Sequence, residues 1–191
     1  FVLVFPPTKD DDNYYILPYF WIPEENMDRR VAKDHVPYDL WEHQGYIQTT
    51  EGNVIHYGFI ETFIEDLGKK YNIKEISFDR WGAVQMTQDL DNMGFTVIPF
   101  GQGFKDMSPP TKELMNLVLA GRLRHNGHPV LRWMMDNVCV RTDPAGNIKM
   151  DKSKSTEKID GAVATVMALD RAIRNDGGNE SIYDSRGLLF I

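Results

Sequence analysis

Lys74-Glu75-Ile76-Ser77-Phe78-Asp79 is the stretch that decides how this chain is read. A short run of apolar, β-branched and aromatic side chains closes on a carboxylate, as in a strand that ends at Asp79. Before it, Phe59, Ile60, Phe63, Ile64, Leu67 and Tyr71 recur at spacings of three and four, an amphipathic helix closed by Gly68 to Asn72. After it, Ala83 to Met93 reads as a helix closed by Gly94, and Phe95 to Pro99 as a second strand. Strand, helix, strand implies a right-handed parallel crossover. Asp79 then stands at the carboxyl edge of a parallel strand, where open α/β sheets place their ligand sites.

Further out, Phe1 to Phe5 and Tyr14 to Ile22 flank the turn-forming residues Pro6 to Asn13 and read as an antiparallel hairpin. Past a polar segment from Pro23 to His43, a second hairpin is expected from Tyr46 to Thr49 and Val54 to His56 around Glu51-Gly52-Asn53. Ser108-Pro109-Pro110 is expected to open a helix, with Ser108 as cap and Leu114, Leu117, Val118 and Leu123 on its core face. Pro129 to Met135 reads as helix, and Val138 to Arg141 and Ile148 to Met150 as strands about the turn Asp143 to Asn147. Lys158 to Arg174 is a final helix that buries Ile159, Ala162, Val163, Val166, Met167 and Ile173. The expectation is one α/β domain over residues 1–175, a mixed sheet of antiparallel hairpins and parallel strands flanked by helices, followed by a tail at 176–191 with no clear period.

The 191 residues, 42% hydrophobic and 26% charged, suit one compact core and exclude collagen-like, coiled-coil and wholly disordered classes. No window approaches the roughly 20 apolar residues of a membrane-spanning helix. Phe1 has neither an initiator Met nor a basic flank, so the opening reads as mid-strand, cut from a longer protein. The single Cys139 excludes a disulfide framework or a multi-cysteine zinc site, fits a reducing compartment, and reads as a structural thiol.

Net charge is -7, yet it is unevenly spread. Residues 1–121 hold 10 Lys/Arg against 19 Asp/Glu, whereas residues 122–158 hold 8 against 4. This positive window contains Arg122, Arg124, Arg132, Arg141, Lys149, Lys152, Lys154 and Lys158. Composition alone favours a solvated face over a phosphate-binding one.

There is no Gly-x-x-x-x-Gly-Lys-Ser/Thr loop, and Gly101-Gln102-Gly103 lacks the third glycine of a dinucleotide fingerprint, so ATP hydrolysis by this chain is not expected. His125-Asn126-Gly127-His128 offers two imidazoles, but Gly127 and Pro129 mark a turn and no further ligand lies close. No Gly-x-Ser-x-Gly elbow occurs. Asp160, in the first turn of the final helix, joins Asp79 as a carboxylate on an element end. Two such acids on converging ends can hold hard divalent cations. Taken singly, each reads more readily as a turn carboxylate or a helix-start acid.

Four segments together resemble a known family: Ser77-Phe78-Asp79-Arg80-Trp81-Gly82-Ala83; Met107-Ser108-Pro109-Pro110-Thr111-Lys112-Glu113-Leu114; Gly121 to His125 running into Pro129-Val130-Leu131-Arg132-Trp133-Met134; and Lys158-Ile159-Asp160-Gly161-Ala162-Val163-Ala164 with Met167-Ala168-Leu169. They resemble the carboxy-terminal nuclease domain of tailed-phage terminase large subunits of the HK97 type. The resemblance implies an RNase H-like fold that binds two divalent ions, Mg2+ or Mn2+, and cuts concatemeric double-stranded viral DNA during packaging. Asp79 and Asp160 match two of the family's metal-binding acids; the third belongs upstream of Phe1, and Asp10, Asp11 and Asp12 do not match it. The resemblance further implies a packaging ATPase upstream in the same polypeptide, the small terminase subunit and the portal as partners, and work in the host cytoplasm.

The leading expectation is therefore a two-metal DNA endonuclease domain, with Asp79 and Asp160 as ligands and Lys152, Lys154 and Lys158 as phosphate contacts. Asp143 or Asp151 would complete the site if no upstream acid did. A rival is a non-catalytic RNase H-like module that docks DNA or the portal. A recombinase or transposase fits the acids but not the Met-Ser-Pro-Pro and Trp-Met segments.

Overall fold

The structure, a computed structural model, describes residues 1–79 and 84–175. The tail, and Arg80 to Ala83 of the Phe-Asp-x-Trp segment and of the expected helix start, lie outside the described residues. β1 (Val2–Phe5) and β2 (Tyr14–Pro18) form the expected hairpin, Val2 opposite Pro18 and Phe5 opposite Tyr15. β3 (Trp21–Pro23) leaves that sheet.

The segment read as a polar connection holds two helices, α1 (Met27–Asp34) and α2 (Tyr38–His43). α1 buries no side chain fully and rests on the core through Met27 and Val31, too short a stripe for periodicity to detect; α2 has six residues and is anchored by Tyr38 and Trp41 alone. The second hairpin does not form. β4 (Gln48–Thr50) instead runs parallel to β3, Trp21 opposite Gln48, and residues 54–56 hold no strand. The amides of Glu24 and Glu25 donate to the carbonyls of Thr50 and Gly52 at 2.8 and 3.0 Å, and Trp21 Nε1 donates to Gln48 Oε1 at 3.1 Å. These bonds commit the segment to β3.

α3 (Tyr57–Lys70), β5 (Ile76–Asp79), α4 (Val84–Asn92) and β6 (Val97–Phe100) follow the expected order, with β5 parallel to β6 and Asp79 opposite Phe100. Ile60 and Ile64 of α3 and Leu90 of α4 pack with Ile76. α5 (Phe104–Leu119) begins before Ser108 and contains Pro109 and Pro110, so Ser108 is not a cap. Its buried hydroxyl accepts from the Ile148 amide at 3.1 Å. Two interior prolines are costly to a helix, but Pro110 and Met107 are fully buried and the Thr111 hydroxyl donates to the Met107 carbonyl at 2.6 Å. Two core assignments change: Val118 is 57% exposed, and Leu123 lies in β7 (Leu123–Arg124), parallel to β2.

α6 (Pro129–Asp136), the antiparallel pair β8 (Val140–Thr142) and β9 (Ile148–Met150), and α7 (Asp160–Asn175) complete the described chain. α7 organises the core of this mixed α/β domain: it packs on β1, β2 and β5 and against α5 and α6. Ala162, Val163, Val166, Met167 and Leu169 are buried at helical spacing against Leu114, Leu117 and Met150, each large apolar side chain contributing about 1.5–3 kcal/mol. Arg171 donates to Glu75 at 2.6 Å and so fixes α7 to the strand entering the site. β1 and β5 do not pair. Between them runs a slot of about 330 Å3, lined by residues 1–6 on one side and 71–77 on the other, with Ala164, Ala168 and Arg171 of α7.

Candidate functional site

Asp79 is the last residue of β5 and is exposed. Beyond the carboxyl ends of β5 and β6 lies a cleft of about 240 Å3, lined by Asp79, Gln102, Arg141, Asp151, Lys152 and Val163 among others. This is the sheet edge at which parallel strands leave space for a ligand. Asp151 reaches it from the turn after β9. Its carboxylate accepts from the Ser153 hydroxyl at 2.6 Å and the Ser153 amide at 3.0 Å, and the hydroxyl bond chiefly holds it below the usual carboxylate range. The turn is stitched down by Ser155, whose hydroxyl donates to the Asp151 carbonyl at 2.8 Å and accepts from the amide of the partly buried Cys139 at 3.1 Å.

Asp160 opens α7, and its Oδ1 lies 2.6 Å from Lys152 Nζ. The two side chains are 61% and 64% exposed, so the pair adds little stability. Its importance is positional: Lys152 lines the Asp79 cleft while its ammonium rests on Asp160. Asp79, Asp151 and Lys152 thus share one cleft, and Asp160 meets it through Lys152. Asp160 also lines a second groove.

The remaining expected residues are spread more widely. Lys158 Nζ lies 2.9 Å from Asp34 and 2.9 Å from the Tyr38 hydroxyl, and it is the main cause of the lowered Asp34 carboxyl. Lys154 is exposed in the 151–155 turn. Much of the positive window serves the fold: Arg122 donates to the Asp12 carbonyl, Arg124 to the Gly121 carbonyl, and Lys149 to the Gln102 carbonyl. Asp143 accepts from the Ala145 and Asn147 amides and closes the β8–β9 turn. Asp11 similarly binds Asn13 and Tyr15. His128 Nδ1 accepts from the Leu131 amide and caps α6, and burial lowers it to about 4. Sequence reasoning missed one basic cluster, Arg29, Arg30 and Lys33 on α1. It lies inside the acidic stretch that the linear charge count averaged away, and only a count over the helix would have found it.

Asp79, Asp151 and Asp160, with Ser153 and Gln102, supply only oxygen donors to this region, which suits a hard cation such as Mg2+ or Mn2+. Among the described residues, no three His, Cys, Asp or Glu stand close enough to hold an ion by themselves. The fit is that of a partial ligand set.

A family model described as "Terminase large subunit, endonuclease domain" matches residues 2–176. The chain is similar to the terminase large subunit of Enterobacteria phage HK97, 38% identical over 182 residues that cover 93% of this chain and 36% of that protein. Its fold superposes on the HK97 large terminase crystal structure with a TM-score of 0.81 at 39% identity, over 90% of this chain and 36% of that one. It is also 32% identical to the protein YmfN of Escherichia coli K12 over 169 residues, 84% of this chain and 36% of that protein. More distant is the large terminase nuclease of thermophilic phage G20c solved with bound magnesium, at 16% identity and a TM-score of 0.49 over 62% of this chain and 64% of that one. The chain spans about a third of the length of the curated relatives it matches.

Proposed function

The chain belongs to the endonuclease-domain family of terminase large subunits, and from that premise we propose that it is a metal-dependent DNA endonuclease domain of RNase H-like fold spanning residues 1–175. The observation that carries the reading is the cleft at the carboxyl end of β5, where Asp79, Asp151 and Lys152 converge and Lys152 meets Asp160. In this reading Asp79 and Asp160 supply oxygen ligands to Mg2+ or Mn2+. When bound, such a pair of ions supplies the positive charge that activates water and offsets charge on the departing 3′ oxygen.

The protein's own groups prepare that site. Ser153 keeps Asp151 ionised and aimed, and the Ser155 bonds hold its turn against residue 139. Lys152 holds Asp160 in place and, once that carboxylate is otherwise neutralised, is released to a DNA phosphate. Lys154 and Lys158 bind phosphates as point charges, independent of sequence. A third carboxylate is proposed on an extended segment upstream of Phe1. The slot between β1 and β5 supports this, because its two long sides are the strand residues 2–5 and the approach to Asp79, as an inserted strand requires. Double-stranded viral DNA, an upstream ATPase, the small terminase subunit and the portal are proposed partners, in the host cytoplasm.

The test is plasmid nicking by a polypeptide that includes the upstream segment. Nicking with Mn2+ or Mg2+ that stops in EDTA supports the reading. Metal binding without nicking under any condition favours the docking module instead.

A further inference from the structure

Asp160 also lines a groove of about 610 Å3, distinct from the Asp79 cleft and within the range of pockets that enclose small organic ligands. Trp21, Tyr38 and Trp133 contribute to its walls, and three cations line it, the partly buried Arg30 and exposed Lys33 of α1 with Lys158, against two carboxylates, Asp34 and Asp160. Lys158 is matched by Asp34 at 2.9 Å. Arg30 donates one long bond, 3.3 Å, to the Pro23 carbonyl, and Lys33 stands exposed and acts on Asp34 only through space, so among the described residues neither is held in a direct ion pair with a carboxylate. Aromatic walls beneath a basic rim are the arrangement by which proteins hold single-stranded nucleic acid, the bases against rings and the backbone along cations. A duplex turns its base faces inward and offers nothing to such walls.

We propose that this groove binds an unpaired DNA strand adjoining the cut, with Arg30 and Lys33 on its phosphates and one base against Trp21 and Trp133. The proposal rests on reading Asp160 as a residue of the cleavage site, since Asp160 lines this groove and meets the Asp79 cleft through Lys152, which gives a strand a path from one to the other. Arg30 and Lys33 are then positioning residues that keep the strand in register with the metal ligands. Frayed or nicked ends follow from the cleavage itself, so the substrate supplies the strand.

The test uses a twelve-residue oligothymidylate, read by quenching of tryptophan fluorescence, in Ca2+ so that no cleavage intervenes. The strand should quench the protein, and Arg30→Ala with Lys33→Ala should weaken binding at least tenfold while lessening the slope of log affinity on log salt by about 1.4, or about 0.7 per lost phosphate contact. In a polypeptide carrying the upstream segment, Asp79→Asn should leave this binding intact while stopping cleavage; if its parent binds the strand but never cuts, the nuclease reading fails and this one stands. Unchanged affinity in the double variant, or equal loss with a blunt duplex of the same length, overturns the proposal.

Discussion

Gly161 follows Asp160 at the start of α7, and replacing it with Ala tests whether that helix end is set by close packing. A Cβ there would lie 2.6 Å from Phe20 Cε1, 2.8 Å from Phe20 Cζ and 2.8 Å from Met134 Sδ. Ordinary carbon contacts begin near about 3.5 Å, so neighbours must retreat by roughly 1 Å. Met134 can flex; Phe20 cannot easily, since its ring is stacked edge-on against His128 at 5.4 Å. Overpacking costs about 1–3 kcal/mol, and two contacts to a stiff ring place Gly161→Ala at the upper end. The better helix propensity of Ala returns about 1 kcal/mol. A net loss of about 2 kcal/mol corresponds to a fall in Tm of about 4–8 °C for a chain of this size. Gly58→Ala on α3 is the control, because nothing lies within 4 Å of its added Cβ, and it should be neutral or slightly stabilising. Thermal unfolding followed by circular dichroism compares the two. A Gly161→Ala protein that melts with or above the parent refutes the packing argument.

Three further outcomes follow. Lys152→Ala should raise the affinity of the chain for Mn2+, measured by titration calorimetry, because the ammonium 2.6 Å from Asp160 no longer competes with the ion. Replacing Lys152, Lys154 and Lys158 with Ala together should lessen the salt slope for duplex DNA by about 0.9 per lost contact; an unchanged slope moves the duplex path elsewhere. His128, lowered from 6.5 to about 4 chiefly by burial, takes its proton in the unfolded chain before it does in the folded one. Its contribution to stability is therefore present above pH 6.5 and is lost as pH falls towards 4, and His128→Asn, which keeps a capping side chain, should flatten the urea midpoint over that interval.

The crossover that holds Asp79 was legible because its elements carry their own signals: a 3.6-residue stripe in α3, an apolar β5, and Gly94 at the end of α4. α7 was legible for the same reason. α1 was hidden because it packs through partly buried Met27 and Val31 alone, and β4 because its partner lies 27 residues away and parallel. The start of α5 was misplaced by reading Pro109-Pro110 as a helix opening, when tertiary burial of Pro110 outweighs their local cost. At the site, the sequence pointed to Asp79 and Asp160 through position and resemblance. It named Asp151 and Asp143 alike as acids to complete the site but could not choose between them, nor foresee that Lys152 would sit on Asp160, because both depend on how the turn after β9 is stitched to residue 139.

In the proposed mechanism Asp79 and Asp160 hold the metal ions that cut DNA. The most direct test is the single-turnover nicking rate, in Mn2+, of Asp79→Asn and Asp160→Asn in a polypeptide carrying the upstream segment. Both folds should match the parent by circular dichroism. Each rate should fall at least about a hundredfold, because each variant removes a ligand from an ion that acts on the transition state. Either variant nicking at the parental rate would show that its carboxylate holds no catalytic ion.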